Sequence, residues 1–168
     1  MDDDCWLPGL VREVSAACKN ASLTGCGRDV EKLRNGIDRP TDKEGDNGAY
    51  VSLSTPITYT FTEPCEVKEV RIIFDSDLDR VTLTGGIPEI NDCPTVCNRP
   101  FNMPPYTFPS VMVREFVLEV DGKPLYHIFD NCQRLVRLKV NNVCSKISLT
   151  PISTYGAPKA HIFSFDFK

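Results

Sequence analysis

The chain has 168 residues, of which 41% are hydrophobic and 25% are charged, and its formal net charge is −4. This composition allows a buried core, so it excludes wholesale disorder, and the acidic balance argues against a nucleic-acid partner. No apolar run approaches the about 18 residues that a membrane-spanning helix needs, so we expect no membrane partner. Residues 1–4 are acidic, unlike the start of a secretory leader, and we therefore expect a cytoplasmic location.

The first third of the chain predicts little regular structure. Residues 1–19 show no clean hydrophobic period and are expected to be irregular. We expect a short strand at residues 20–24 and one short helix near residues 29–35, since Gly36 stands where a helix would end. Residues 35–48 are polar and rich in turn formers, which is typical of a long surface loop.

A hydrophobic period of two begins after this loop and continues to the end of the chain. Apolar residues alternate with threonines at positions 57–62, which predicts a half-buried strand, and Glu63-Pro64 is expected to turn the chain into the next strand. Asp121-Gly122 is a strong signal for a β-hairpin. The other predicted strands cover residues 67–74, 113–120, 125–129, 135–140, 146–150 and 161–167.

Short strands with turn residues at this spacing predict an all-β fold, a β-sandwich of the jelly-roll kind. The chain lacks the alternation of strands and helices that would indicate a parallel sheet. We expect residues 1–168 to form a single domain. Residues 84–110 hold six prolines and two glycines, so they are expected to form a surface excursion without long regular structure.

The eight cysteines are expected to be reduced and mostly buried, because a chain of this length folds without disulfide staples. Cys93 and Cys97 have a spacing found in some metal sites, but zinc needs two further ligands and no second pair lies near in sequence. Zinc, a disulfide and plain thiols remain alternatives for this pair. The cysteines stand at positions 5, 18, 26, 65, 93, 97, 132 and 144.

Three aspartates follow the predicted strand 67–74. Asp75, Asp77 and Asp79 would point the same way on an extended segment, and their mutual repulsion calls for a partner. A metal ion, an arginine (Arg134 or Arg137) and water are the alternatives. The loop is not a helical calcium loop, because the required glycine and glutamate are missing.

Two segments resemble the galactose-binding-like jelly rolls of the discoidin or coagulation-factor type C family. Asn35-Gly-Ile-Asp38 is similar to the Asn-Leu-Ile-Asp-Gly segment of that family, and residues 57–74 are similar to its central pair of strands. In this family a calcium ion often follows the first segment and is closed by a carboxylate from the last strand. The resemblance therefore makes a structural calcium at Asp38 possible, although Ser164 stands where the acidic residue is expected.

Further segments resemble the C-terminal domain of bacterial FAD-dependent oxidoreductases. They are residues 5–9, 74–78, 131–137 and 155–163. The resemblance implies a non-catalytic accessory module that packs against a flavoprotein catalytic domain, so the chain would not be an enzyme by itself. No cofactor is expected within the chain, because Gly25-Cys26-Gly27 lacks the third glycine of a dinucleotide-binding turn.

The alternative function is a carbohydrate-binding module. Jelly rolls bind glycans through loops at one end, where an aromatic ring stacks on the sugar and polar side chains bond its hydroxyls. The other interpretation of these rings is that they pack the edges of the sandwich. The candidate ligand-binding residues are the loop residues Trp6, Tyr50, Arg99, Tyr106 and Tyr155.

Overall fold

The computed structural model describes residues 11–25, 27–39, 47–76 and 108–168. These residues form one α-helix, one 3₁₀ helix and strands β1 to β7. The helices are α1 (Ala16–Asn20) and the 3₁₀ helix (Gly27–Arg34). The strands are β1 (Ser22–Thr24), β2 (Ala49–Ser52), β3 (Ile57–Phe74), β4 (Val113–Val120), β5 (Lys123–Ile128), β6 (Leu135–Thr154) and β7 (Lys159–Phe167).

All strand pairs are antiparallel, and the order is β2-β7-β3-β6-β4-β5, with β1 paired to β3. The long strands β3 and β6 belong to two layers. Their segments at 69–73 and 135–139 pair with each other and continue into β7 and β2. The remainder of β3 pairs with β1 and with the remainder of β6, which also pairs with β4. This arrangement is the predicted all-β sandwich of the jelly-roll kind.

The core lies between the two layers and is rich in aromatic rings. Phe74 of β3 contacts Phe116 of β4, with ring centroids 5.1 Å apart. Tyr59 lies 5.2 Å from Phe165 and 5.1 Å from Phe167, both on β7. Because these rings join strands of opposite layers, their burial holds the sandwich closed, and each buried ring contributes about 1.5–3 kcal/mol to stability.

Three predicted element boundaries were wrong. Residues 57–74 form one strand rather than two, because exposed Pro64 lies at a register shift in β3 and does not reverse the chain. Likewise β6 is continuous across the two predicted strands 135–140 and 146–150. Part of the segment 1–19 is helical, since Ser15 caps α1 by accepting a hydrogen bond from the Cys18 N–H.

Strand β2 was not predicted, whereas the helix and the hairpin were. The 3₁₀ helix ends at Arg34, and Gly36 follows it with a φ of 81°. Asp121 and Gly122 both have positive φ and join β4 to β5. Most of the excursion 84–110 lies outside the described residues. Among the described residues, no helix is both long and apolar enough to cross a membrane.

Candidate functional site

One side of the layer formed by β2, β7, β3 and β6 faces away from the core and carries polar side chains. Ala49 and Val51 are buried in the core, so Tyr50 between them points to the opposite side. We call this side the polar face. Cross-strand register and alternation with the core residues place on it Tyr50, Arg71, Arg137, His161, Ser164 and Asp166.

Tyr50 and His161 form a stacked ring pair on the polar face. They are cross-strand partners on β2 and β7, and their ring centroids are 4.1 Å apart with an interplanar angle of 8°. His161 is 1% exposed, whereas Tyr50 is 50% exposed. The buried imidazole therefore supports a tyrosine ring that presents much of its surface to solvent.

Both ring nitrogens of His161 are engaged, which fixes the orientation of the support. Nδ1 lies 2.8 Å from an Asp75 carboxylate oxygen, and Nε2 lies 2.9 Å from the backbone oxygen of Asn47. A carbonyl oxygen can only accept, so Nε2 is a donor. With both nitrogens bonded inside the protein, His161 is not arranged as a base toward an incoming ligand.

Asn47 ties the start of β2 to the segment that follows the 3₁₀ helix. Its amide nitrogen donates to the backbone oxygens of Ile37 (2.8 Å) and Arg39 (3.1 Å). Its amide oxygen accepts a hydrogen bond from Asn35 at 2.8 Å. The side chain is 5% exposed, so its polar atoms serve the fold of this loop rather than a ligand.

Phe163 and Arg134 continue the polar face beyond His161. Phe163 meets His161 edge-on at 4.8 Å, and the Arg134 guanidinium lies over the Phe163 ring at 5.7 Å. Arg134 also donates to the backbone oxygen of Asp38. The Tyr50–His161 pair is thus connected through Phe163 and Arg134 to a second polar cluster around Asp38.

Asp38 is a fully buried carboxylate between two arginines. Arg71 Nη1 donates to Oδ1 at 3.1 Å, and Arg12 Nε donates to Oδ2 at 3.3 Å. Both arginines also contact Asp166 of β7, Arg12 by hydrogen bonds and Arg71 at 3.8 Å. Burial alone would raise the pKa of Asp38, but the hydrogen bonds and charges of Arg71 and Arg12 lower it below its ordinary value.

These contacts do not fit the calcium site considered at Asp38. Calcium takes six to eight oxygen ligands, and here two guanidiniums already contact both Asp38 oxygens. The described residues contain no group of three or more His, Cys, Asp or Glu side chains that could hold a metal ion. A carboxylate of the last strand is nevertheless present: it is Asp166, two residues after Ser164, and Arg12 bridges it to Asp38.

The arginine network borders a small cavity of about 190 Å³. Ligand pockets for small molecules usually measure about 300–1,000 Å³. Charges of both signs line this cavity, and Lys168 pairs with Glu69 at 3.1 Å. The cavity therefore belongs to the ion-pair network that attaches Arg12 to the sheet.

Of the five predicted ligand-binding residues, two lie in the described part of the chain. Tyr50 is on strand β2 and not on a loop as predicted, because the alternation of β2 directs it outward. Tyr155 is in the turn after β6, stacked on Phe108 at 4.4 Å and with Arg114 5.8 Å from its ring centroid. Its hydroxyl donates to the Asn131 backbone oxygen at 2.9 Å, so the ring packs against neighbouring side chains and the hydroxyl is hydrogen-bonded within the protein. Trp6, Arg99 and Tyr106 lie outside the described residues.

Sequence reasoning missed the role of His161 and its contact with Asp75. His161 stands in the apolar alternation of the last strand, which does not single it out. It lies on the polar face and contacts Asp75, and a histidine was not among the partners expected for this carboxylate. The signal for this pair is the β2–β7 and β3–β7 register, which connects residues far apart in sequence.

Comparison with known proteins identifies the fold. No family model and no curated protein matches the chain. Among solved structures, it is similar to the family 32 carbohydrate-binding module of Streptococcus pneumoniae EndoD, with a TM-score of 0.54 and 15% identity over 89% of this chain and 95% of that one. It is also similar to a GH31 CBM32-2 module bound to GalNAc, with a TM-score of 0.55 and 11% identity over 88% and 96%. The chain therefore shares the β-sandwich fold of these modules.

Proposed function

We propose that the chain is a non-catalytic carbohydrate-binding module and that Tyr50 is the aromatic platform of its sugar site. The observation that carries the proposal is the exposed Tyr50 ring, stacked on a buried and doubly hydrogen-bonded His161. The fold supports it, because both structural neighbours reported above are carbohydrate-binding modules.

The geometry suits a neutral sugar. An aromatic face is electron-rich and apolar, so it packs against the C–H face of a pyranose ring. His161 holds the Tyr50 ring in one orientation, which reduces the side-chain entropy lost on binding. Asp75 is partly exposed beside His161, and a carboxylate accepts hydrogen bonds from sugar hydroxyls.

GalNAc is the sugar bound in the GH31 CBM32-2 structure, so GalNAc and galactose are the first probes for this chain. Calorimetric titration of the purified chain should detect binding of at least one of them. Replacing Tyr50 with alanine removes the platform, and the dissociation constant should rise about tenfold. Tyr50→Phe keeps the ring and should bind within about twofold of the parent.

Phe129→Ala is the matched control, because Phe129 is also an exposed aromatic residue (60%) but lies after β5. Its affinity should equal that of the parent. Equal loss in Tyr50→Ala and Tyr50→Phe would contradict a stacking role, and loss only in Phe129→Ala would place the sugar elsewhere.

The flavoprotein partner implied by sequence resemblance is not part of this proposal. The comparisons give no support to a link with the C-terminal domain of FAD-dependent oxidoreductases. Calcium is not part of it either, because guanidiniums contact both oxygens of Asp38. The proposed module binds sugar with its own side chains.

A further inference from the structure

Cys65 and Cys144 are directly opposite each other in the β3–β6 register. Opposite residues of an antiparallel pair have Cα atoms about 4.5–5.5 Å apart and project their side chains on the same face of the sheet. A disulfide requires a Cα separation of about 4.4–6.8 Å. The backbone pairing therefore already meets the main geometric requirement for a bond between these two residues.

The pair lies in a short segment of the ladder that can adjust. Register shifts flank it, one between Thr60 and Cys65 and one between Val67 and Glu69. A disulfide draws two Cβ atoms to about 3.5–4.5 Å, slightly closer than an ordinary cross-strand pair. The irregularities on both sides let the strands approach here without shifting the regular ladder at residues 69–73.

The two thiols differ in access. Cys144 is 2% exposed, whereas Cys65 is partly exposed, and its thiol contacts the Glu66 backbone oxygen at 3.5 Å. Burial, followed by the negative charges of Asp121 and Cys65, raises the pKa of Cys144 to about 11. A small reagent therefore reaches Cys65 first, and Cys144 is protected until Cys65 has reacted.

The other two described cysteines lack this arrangement. Cys18 is fully buried, and its thiol donates to the Tyr59 hydroxyl oxygen at 3.1 Å. Cys132 is exposed in the segment between β5 and β6. Among the cysteines in the described ranges, the strand register places Cys65 and Cys144 opposite each other.

We propose that Cys65 and Cys144 form a reversible disulfide by exchange with a small-molecule disulfide of the glutathione class. The Cys65 thiolate attacks one sulfur of that reagent, releases a thiolate and forms a mixed disulfide. The Cys144 thiolate then attacks the Cys65 sulfur of the mixed disulfide. This step releases the second half of the reagent as a thiolate and forms the Cys65–Cys144 bond. Two protein thiols lose two protons and two electrons, and the reagent is reduced to two thiols.

The bond would fasten β3 to β6 where these strands pass from one layer to the other. It closes a loop of roughly 80 residues, which reduces the entropy of the unfolded chain. This modification is independent of the sugar site, because Tyr50 and His161 lie on β2 and β7. Failure of sugar binding would leave this proposal intact, and the reverse also holds.

The test is oxidation of the full chain with oxidised glutathione, followed by alkylation of free thiols and peptide mapping. We expect a linked peptide that joins Cys65 to Cys144 and a midpoint of thermal unfolding raised by roughly 5–15 °C. Dithiothreitol should reverse both. Cys65→Ser should abolish the rise, and Cys132→Ser, the exposed control, should retain it.

The mapping of the unmodified sequence needs no variant, so a poorly folding mutant would not obscure the result. Alkylation of both Cys65 and Cys144 after oxidation would overturn the proposal. A stable glutathione adduct on Cys65, or a link from Cys65 to another cysteine, would overturn it equally.

Discussion

Asp38 shows how a single buried charge organises the polar face. It has no solvent exposure, and its carboxylate is balanced by Arg71 from β3 and Arg12 from the segment before α1. Burial of the Arg12 side chain would lower its pKa, but the charges of Asp166 and Asp38 raise it above the ordinary value. Asp38 and Arg12 are therefore each held in the ionised form by the charges around them.

The lowered pKa of Asp38 fixes the sign of its pH dependence. The unfolded chain binds this proton more readily than the folded one, so the carboxylate stabilises the fold above its unfolded pKa of about 3.9. The stabilisation is lost as the pH falls through the lower, folded pKa. Acid should thus weaken the attachment of Arg12 to the sheet.

Asp38→Asn should lower the free energy of unfolding at pH 7 by about 3–5 kcal/mol, because it leaves the buried Arg71 and the partly buried Arg12 short of a counter-charge. The difference from the parent should be smaller at about pH 3 than at pH 7, because below about pH 3.9 the unfolded parent chain already binds a proton that the folded carboxyl takes up only at lower pH. Urea denaturation at both pH values measures this. Asp130→Asn, in an exposed pair with Arg114, is the control and should be unchanged; equal stability of Asp38→Asn and parent at pH 7 would refute the role.

The segment that enters β2 depends on a glycine. Gly48 has a φ of 83°, and a Cβ there would lie 2.5 Å from the Ile162 backbone oxygen and 3.1 Å from His161 Nε2. A side chain at this position would therefore push β2 away from β7 and disturb the support beneath Tyr50. Gly122, in the β4–β5 turn, also has a positive φ (75°), but nothing lies within 4 Å of its added Cβ.

This contrast gives a matched pair of variants. Gly122→Ala should cost about 1 kcal/mol through backbone strain alone and leave sugar affinity unchanged. Gly48→Ala should cost more and also weaken sugar binding, since the added Cβ would crowd the Ile162 backbone oxygen and His161 Nε2. Thermal unfolding and calorimetry of both variants test this. Equal behaviour of the two would show that the approach of β2 to β7 does not position Tyr50.

Local sequence signals predicted the elements that are determined by residues adjacent in the chain. Asp121-Gly122 gave the hairpin turn, and Gly36 gave the end of the 3₁₀ helix. Pro64 misled the prediction, because its turn chemistry is local whereas the continuity of β3 depends on pairing with β6. Strand β2 has only four residues, too few for a period to show.

The candidate site was predictable only in part for the same reason. Tyr50 is a candidate ligand-binding residue from its type alone, but its support by His161 depends on the register of two distant strands. Tyr155 was identified on equal grounds, and its contacts with Phe108 and Arg114 are likewise tertiary. Residue type marks a candidate, and only the fold shows whether its ring is covered.

At the scale of the whole molecule, β3 and β6 are the strands that belong to both layers of the sandwich. Together they join the layer that carries Tyr50 and His161 to the layer that carries β4 and β5. Aromatic contacts such as Phe74 with Phe116 close the core between them. The polar face is left outside this core, where the Asp38 network and the Tyr50–His161 pair cover it with defined side chains.

The most direct test of the central claim is an NMR titration of the ¹⁵N-labelled chain with GalNAc and galactose. We predict saturable shifts for amides at residues 47–50, Asp75 and His161, with small shifts at the distant β4–β5 turn. Saturable shifts in this region would establish both sugar binding and its place. Absence of saturable shifts with either sugar and with a wider panel of monosaccharides and oligosaccharides would contradict the carbohydrate-binding function.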